Sequence, residues 1–139
     1  MTEAGLEMLK RHEELRLAAY RCPAGKWTIG WGHTNKVHEG DTCTKEEAED
    51  FLLYDVVVAE RDARSLITHF DTLTPRQQDA IINLAFNLGR KKLSGFTTTL
   101  NYIRTGKYAA AADSLSHTKW AKDVGSHRSY DIITAIREG

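Results

Sequence analysis

Glu13, Cys22 and Thr28 fall within one short stretch, Glu13 to Thr34, that carries the most legible chemistry of the chain. A carboxyl, a thiol and a hydroxyl can together protonate a leaving group and position a water. Pro23, Gly25, Gly30 and Gly32 punctuate the stretch, and Trp27-Thr28-Ile29 reads as a short strand between them. Pro fixes the backbone and Gly frees it, so the segment predicts a tight hairpin after a helix that ends near Glu13. Such a turn aims all three groups at one point. The glycines on either side of Trp31 let a ligand or a second backbone approach closely.

Each group has a functional and a plainer reading. Glu13 sits beside apolar Leu15 and Leu17. Partial burial there would keep a proton on its carboxyl near neutrality, as donation to a leaving-group oxygen requires. The plainer reading is a solvated acid next to Glu14. A Cys22 thiol at the reference pKa of about 8.5 is mostly neutral at pH 7. Arg21 or Lys26 would favour the thiolate. Otherwise Cys22 is a half-buried turn residue. Thr28 can orient a water or the thiol, since a hydroxyl both donates and accepts, or it is simply a strand former. His33 could pair with Cys22 as a nucleophile couple of an amidase or peptidase. The simpler reading is a structural histidine held by an acid, with Asp55 the candidate. Cys22 and Cys43 lack zinc-ligand spacing, so no metal and no cofactor are expected, and both read as free thiols.

The stretch resembles the active-site signature of the phage-type lysozymes, or endolysins, of glycoside hydrolase family 24, the kind found in T-even and lambdoid phages. That signature is a glutamate, eight residues, an aspartate or cysteine, five residues, then a threonine. Glu13, Cys22 and Thr28 keep this spacing in its cysteine variant, and Thr28-Ile29-Gly30-x-Gly32-His33 continues it. Two more blocks match. They are Leu73-Thr74-x-x-Gln77-x-Asp79-Ala80 through Phe86-Asn87-x-Gly89, and Trp120 with Val124-Gly125-x-x-Arg128 through Ile136-Arg137-x-Gly139.

The resemblance implies an α+β, lysozyme-like fold: a small N-terminal β-hairpin lobe joined by a long helix to an all-helical C-terminal lobe. Residues 1–139 would form one domain, with 13–60 as the hairpin lobe and connecting helix, and 1–12 with 61–139 as the helical lobe. The implied reaction is hydrolysis of the β-1,4 bond between N-acetylmuramic acid and N-acetylglucosamine in peptidoglycan. Glu13 would be the general acid, and Cys22 with Thr28 would manage the water. Inversion would set the two catalytic groups on the order of 6.5–9.5 Å apart. Substrate contacts carry over to Thr34, Phe86, Thr99 and Ser114, with Asn87 facing the cleft and Arg128 near it. The implied partner is the bacterial wall, met by a monomer with no nucleic acid and no stable membrane association. The implied location is the host cytoplasm until a holin-type lesion opens the way to the wall. Glu14 stands where the family usually has glycine, the net charge is zero where many relatives are strongly basic, and a Gly-x-x-x-Arg-Arg-type ending is absent. A non-catalytic wall-binding module that kept the fold is the remaining alternative.

The elements that must position these groups are also readable. A chain of 139 residues, 41% hydrophobic, has room for one domain with a real core. No apolar run is long enough to span a bilayer, and no secretory signal is read at Met1-Thr2-Glu3-Ala4. A helix is predicted over Glu3 to His12, then a turn-rich β segment over 15–40. Thr44 and Glu47 form a capping box before a long helix with the stripe Ala48, Phe51, Leu52, Val56, Ala59, Ala63 and Leu66. Its other face reads as charged: Glu49, Asp50, Glu60, Arg61 and Arg64. Thr74, Pro75 and Gln77 start a helix over 75–88 that is apolar almost all round, hence buried, and Gly89 would give it a left-handed stop. Shorter helices are predicted near 97–105, 107–116 and 129–137. Residues 1–75 carry nine Lys/Arg against fourteen Asp/Glu, and residues 76–139 ten against five. A basic second half suits an anionic wall, or the two halves attract one another.

Overall fold

The computed structural model describes residues 1–139. Helix α1 (Glu3–Glu13) starts at Thr2, whose Oγ1 accepts from the Gly5 N–H at 3.1 Å. Thr2 also gives its N–H (2.9 Å) and its hydroxyl to the carboxylate of Asp79. The helix is therefore pinned where it begins, and its last residue is Glu13, one beyond the predicted end. Glu14 then turns the chain at φ 37°, ψ 127°, a positive φ that a residue with a side chain seldom adopts. Strands β1 (Arg16–Arg21) and β2 (Trp27–Gly30) form an antiparallel hairpin with Tyr20 opposite Thr28 and Arg21 opposite Trp27. The register slips between Arg16 and Tyr20. Residues 41–43 fill the gap: Ala19 N–H donates to Asp41 O (2.8 Å) and Cys43 N–H to Leu17 O (2.9 Å).

Helix α2 (Lys45–Leu66) is 22 residues long, about 33 Å. Its capping box is closed in both directions, Glu47 N–H to Thr44 Oγ1 at 3.1 Å and Thr44 N–H to Glu47 Oε1 at 3.0 Å. The predicted stripe is buried except for Phe51, which is half-buried. The outer face departs from expectation, because Leu53, Tyr54 and Val57 are exposed among the charges. A 3-10 turn (Phe70–Thr72) leads to α3 (Pro75–Leu88), again with both capping-box bonds made, by Thr74 and Gln77. After it come α4 (Arg90–Ser94), α5 (Thr97–Arg104), α6 (Tyr108–Ser116), α7 (Lys119–Asp123) and α8 (Ser126–Glu138).

Helix α3 is the axis of the core and packs against α1, α2, α4 and α8. Ala80, Ile81, Ile82, Leu84 and Ala85 are all buried along it. Gln77 Nε2 donates to Ile136 O at 3.0 Å and ties α8 to its start. The α+β order of one helix, a small sheet and then helices is as expected. Gly89 is not the left-handed stop expected of it. At φ 79°, ψ 161° it is extended in the mirror sense and sends the chain directly into α4. Helices α4 and α7 were not foreseen: at five residues each they are too short for a helical period to show.

The positive φ at position 14 has a measurable consequence. Glu14→Gly should raise the unfolding free energy by about 1 kcal/mol, as backbone strain at a non-glycine residue is relieved. Urea unfolding of the two proteins reads this directly.

Candidate active site

Glu13 closes α1 and is held from across the molecule. Arg128 Nη1 donates to Glu13 Oε1 at 2.7 Å, with the Arg128 side chain 8% and the Glu13 side chain 16% exposed. The other carboxyl oxygen, Oε2, lies over Gly32: a Cβ at Gly32 would collide with it and stand 2.9 Å from the carboxyl carbon. Gly32 also has φ 74°. The backbone therefore approaches the acid closely only because no side chain intervenes. The sequence expected Leu15 and Leu17 to shelter this carboxyl. Leu17 is instead 44% exposed, and the shelter comes from Arg128 and the Gly32 backbone.

Arg128 lies near the start of α8, and its remaining donors fix it. Nε and Nη2 both donate to Asn83 Oδ1, at 3.2 and 2.9 Å. Asn83 is fully buried in α3. Sequence reasoning named Arg128 only as lying near a cleft and passed over Asn83. The available signal was an asparagine inside an otherwise apolar helix, since a fully buried amide must be hydrogen-bonded.

The hairpin positions the second group. Cys22 N–H donates to Lys26 O at 2.9 Å and Gly25 N–H to Cys22 O at 2.8 Å, closing the turn. Burial opposes ionisation of the Cys22 thiol, but the Lys26 N–H, the Thr28 hydroxyl and the Ala24 and Gly25 N–H groups outweigh it and hold its pKa below the ordinary thiol value. Arg21 and Lys26 were expected to do this as cations. Neutral donors do it instead, while the Arg21 guanidinium lies over the Trp27 ring at 5.4 Å. Thr28 is buried, and its hydroxyl stands 3.0 Å from Lys26 O. With one hydrogen to give, it serves either that carbonyl or the thiol. Cys43, the other free thiol, is pushed the opposite way, by burial first and then by the charge of Glu47. Tyr20, opposite Thr28, has its phenol pKa raised by burial first and then by the charge of Glu13, with Cys22 and Glu14 adding to it.

His33 is the structural histidine expected. Its Nδ1 lies 2.7 Å from Asp55 Oδ2 and its ring stacks on Phe51 with centroids 4.4 Å apart. Burial raises the Asp55 pKa, and the His33 hydrogen bond and charge oppose the rise. No hydrogen bond joins His33 to Cys22, so the nucleophile couple lacks its activated base.

The four expected substrate contacts fall in two cavities. Thr34 and Phe86 line one of 160 Å³ together with Gly32, the residue beneath Glu13. Thr99 and Ser114 line one of 570 Å³ beside Phe96 and Trp120. Asn87 follows Phe86 and accepts from Trp120 Nε1 at 2.8 Å, which links the two. Thr99 is itself buried. Ser114 Oγ donates to Ala111 O at 2.8 Å, so the Thr99 hydroxyl donates to Ser114 Oγ at 2.7 Å. Of the pair, Ser114 is the more accessible. No group of histidine, cysteine or acidic side chains is arranged to hold a metal.

Comparison with known proteins places the chain in a family and a fold. Residues 10–135 match the phage lysozyme family model. An endolysin of Acyrthosiphon pisum secondary endosymbiont phage 1 is 41% identical over 124 residues, covering 88% of this chain and 80% of that protein. The endolysin of Salmonella phage P22 is 37% identical, covering 79% and 77% respectively. The solved muramidase domain of SpmX from Asticaccaulis excentricus superposes with a TM-score of 0.82 at 26% identity, covering 99% of this chain and 97% of that one.

The two thiols provide an internal comparison. Alkylation by iodoacetamide, followed by peptide mass analysis across pH, should show Cys22 reacting with a midpoint below that of an ordinary thiol and Cys43 with one above it.

Proposed function

The chain belongs to the phage lysozyme family, and on that premise we propose how its cleft works. It is a peptidoglycan-hydrolysing glycosidase, a lysozyme. The bond we assign to it is the β-1,4 link between N-acetylmuramic acid and N-acetylglucosamine. Glu13 donates a proton from Oε2 to the bridging oxygen while Arg128 holds Oε1. The sugar develops positive charge as that bond breaks. A water held by Cys22 and Thr28 attacks from the far side, and Cys22, acting as the thiolate, takes its proton. Exchange with solvent then returns both groups to their starting states. The observation that carries this reading is the Glu13 geometry, one carboxyl oxygen clamped by a buried guanidinium and the other over the bare backbone of Gly32.

Thr34 and Phe86 are proposed to contact one part of the glycan, and Ser114, held by Thr99, another. The division into a hairpin lobe of residues 13–60 and a helical lobe of 1–12 with 61–139 is proposed to bracket it. Among the cations of residues 76–139 only Arg128 forms an ion pair with an acid of residues 1–75. That leaves the positive half free to meet an anionic wall. The chain is proposed to act as a monomer and to reach the wall from the host cytoplasm through a holin-type lesion. No helix is long and apolar enough to cross a membrane.

Glu13→Gln should lower wall hydrolysis by about 10²-fold or more with the fold intact. Purified walls assayed for new reducing ends and for free amines test this. Retained release of reducing ends, or amines in their place, contradicts the reading. Cys22→Asp should keep activity, because a carboxylate can still take the proton from water. Cys22→Ala should lose most of it, and equal activity would reduce Cys22 to a packing residue.

A further inference from the structure

His12 precedes the acid by one residue, and no step above uses it. Its side chain is only 3% exposed, yet both ring nitrogens are engaged. Nδ1 lies 3.1 Å from Asn83 Nδ2, and Nε2 lies 2.8 Å from Asp131 Oδ2. The donor inventory fixes where the ring hydrogen sits. A guanidinium can only donate, so the two Arg128 bonds to Asn83 require the amide oxygen to face Arg128. The amide NH2 therefore faces His12 and needs an acceptor there. Nδ1 must be bare, and the hydrogen belongs on Nε2, where Asp131 accepts it. The contacts then run Asp131, His12, Asn83, Arg128, Glu13, with each orientation setting the next.

Building on the assignment of Glu13 as proton donor, we propose that neutral His12 is a positioning residue for that acid. It holds the Asn83 amide in the one orientation that seats Arg128 on Glu13. A proton added at Nδ1 turns the acceptor into a donor. Two donors then confront one another, between His12 and Asn83 if the amide stays, or between Asn83 and Arg128 if it turns. A buried donor without a partner is costly, so Arg128 loses its fixed seat and Glu13 its aim. The charged groups on the helices around His12 are Asp131 and Arg128 on α8, Asp79 on α3 one turn before Asn83, and Arg11 and Glu13 beside it on α1. Asp131 is 36% exposed and lines a surface cavity of 600 Å³ with Arg11, Arg76 and Asp79.

Steady-state hydrolysis of solubilised peptidoglycan by the full chain, from pH 5 to pH 8, tests the relay. The proteins compared are the parent, Glu13→Gln, His12→Leu and His12→Gln, each checked for folding by circular dichroism and thermal unfolding. Glutamine offers a carbonyl acceptor and an NH2 donor and does not titrate. The expected result is a kcat lowered about 10- to 100-fold in His12→Leu with KM unchanged, the scale of a misplaced catalytic group. His12→Gln should recover most of that kcat and hold it on the acid side, where the parent falls. A folded His12→Leu with the parent kcat overturns the proposal, as does a His12→Gln whose acid limb coincides with the parent's. If the leucine variant does not fold, the glutamine variant decides alone. An active Glu13→Gln removes the proton-donor reading and the relay with it, whereas an inactive one beside unaffected His12 variants rejects the relay only.

Discussion

Arg128 divides its donors between Glu13 and Asn83, giving Nη1 to the acid and Nε with Nη2 to the amide. The placing of the acid follows from that division. The two charged partners are 115 positions apart in the chain, so the pair joins the end of α1 to the start of α8. Both side chains are largely buried, so removing one leaves the other desolvated and without its partner. The contact with Arg128 therefore decides where the carboxyl sits.

That constraint explains what surrounds it. Gly32 must be bare because Oε2 occupies the space a Cβ would take. Asn83 must be an amide because Arg128 needs an acceptor and the neighbouring His12 needs a donor. The hairpin solves a separate problem. Its turn gathers neutral hydrogen-bond donors on one sulfur and lowers its pKa from the ordinary thiol value.

Much of this was readable from the chain because it is local. The capping boxes at Thr44 and Thr74 are short-range patterns, and both form. The stripe on α2 and the apolar run on α3 follow the helical period. The Glu13, Cys22, Thr28 spacing sits inside one helix and one hairpin, so its resemblance to the lysozyme signature already carried the fold. The partner that clamps Glu13 was not readable, since an arginine in the last quarter of the chain gives no local sign of which acid it meets. Leu17 misled for a related reason: adjacency in sequence is not contact, and Leu17 is exposed while Leu15 packs against the core. The glycine usual after the acid is absent, and only the backbone at Glu14 shows that the position has a positive φ.

The central claim is that the carboxyl of Glu13, clamped by Arg128 on one oxygen, presents the other to the bond that breaks. A crystal structure of the Glu13→Gln protein with a bound peptidoglycan fragment tests it most directly, because glutamine keeps the shape and can still accept from Arg128. The account predicts the bridging sugar oxygen within about 3.2 Å of the position-13 amide, with Arg128 still in contact and the glycan running past Gly32 toward Phe86. A fragment seated with its glycosidic bond away from position 13, or an Arg128 turned off Asn83 with the glycan in place, would contradict it.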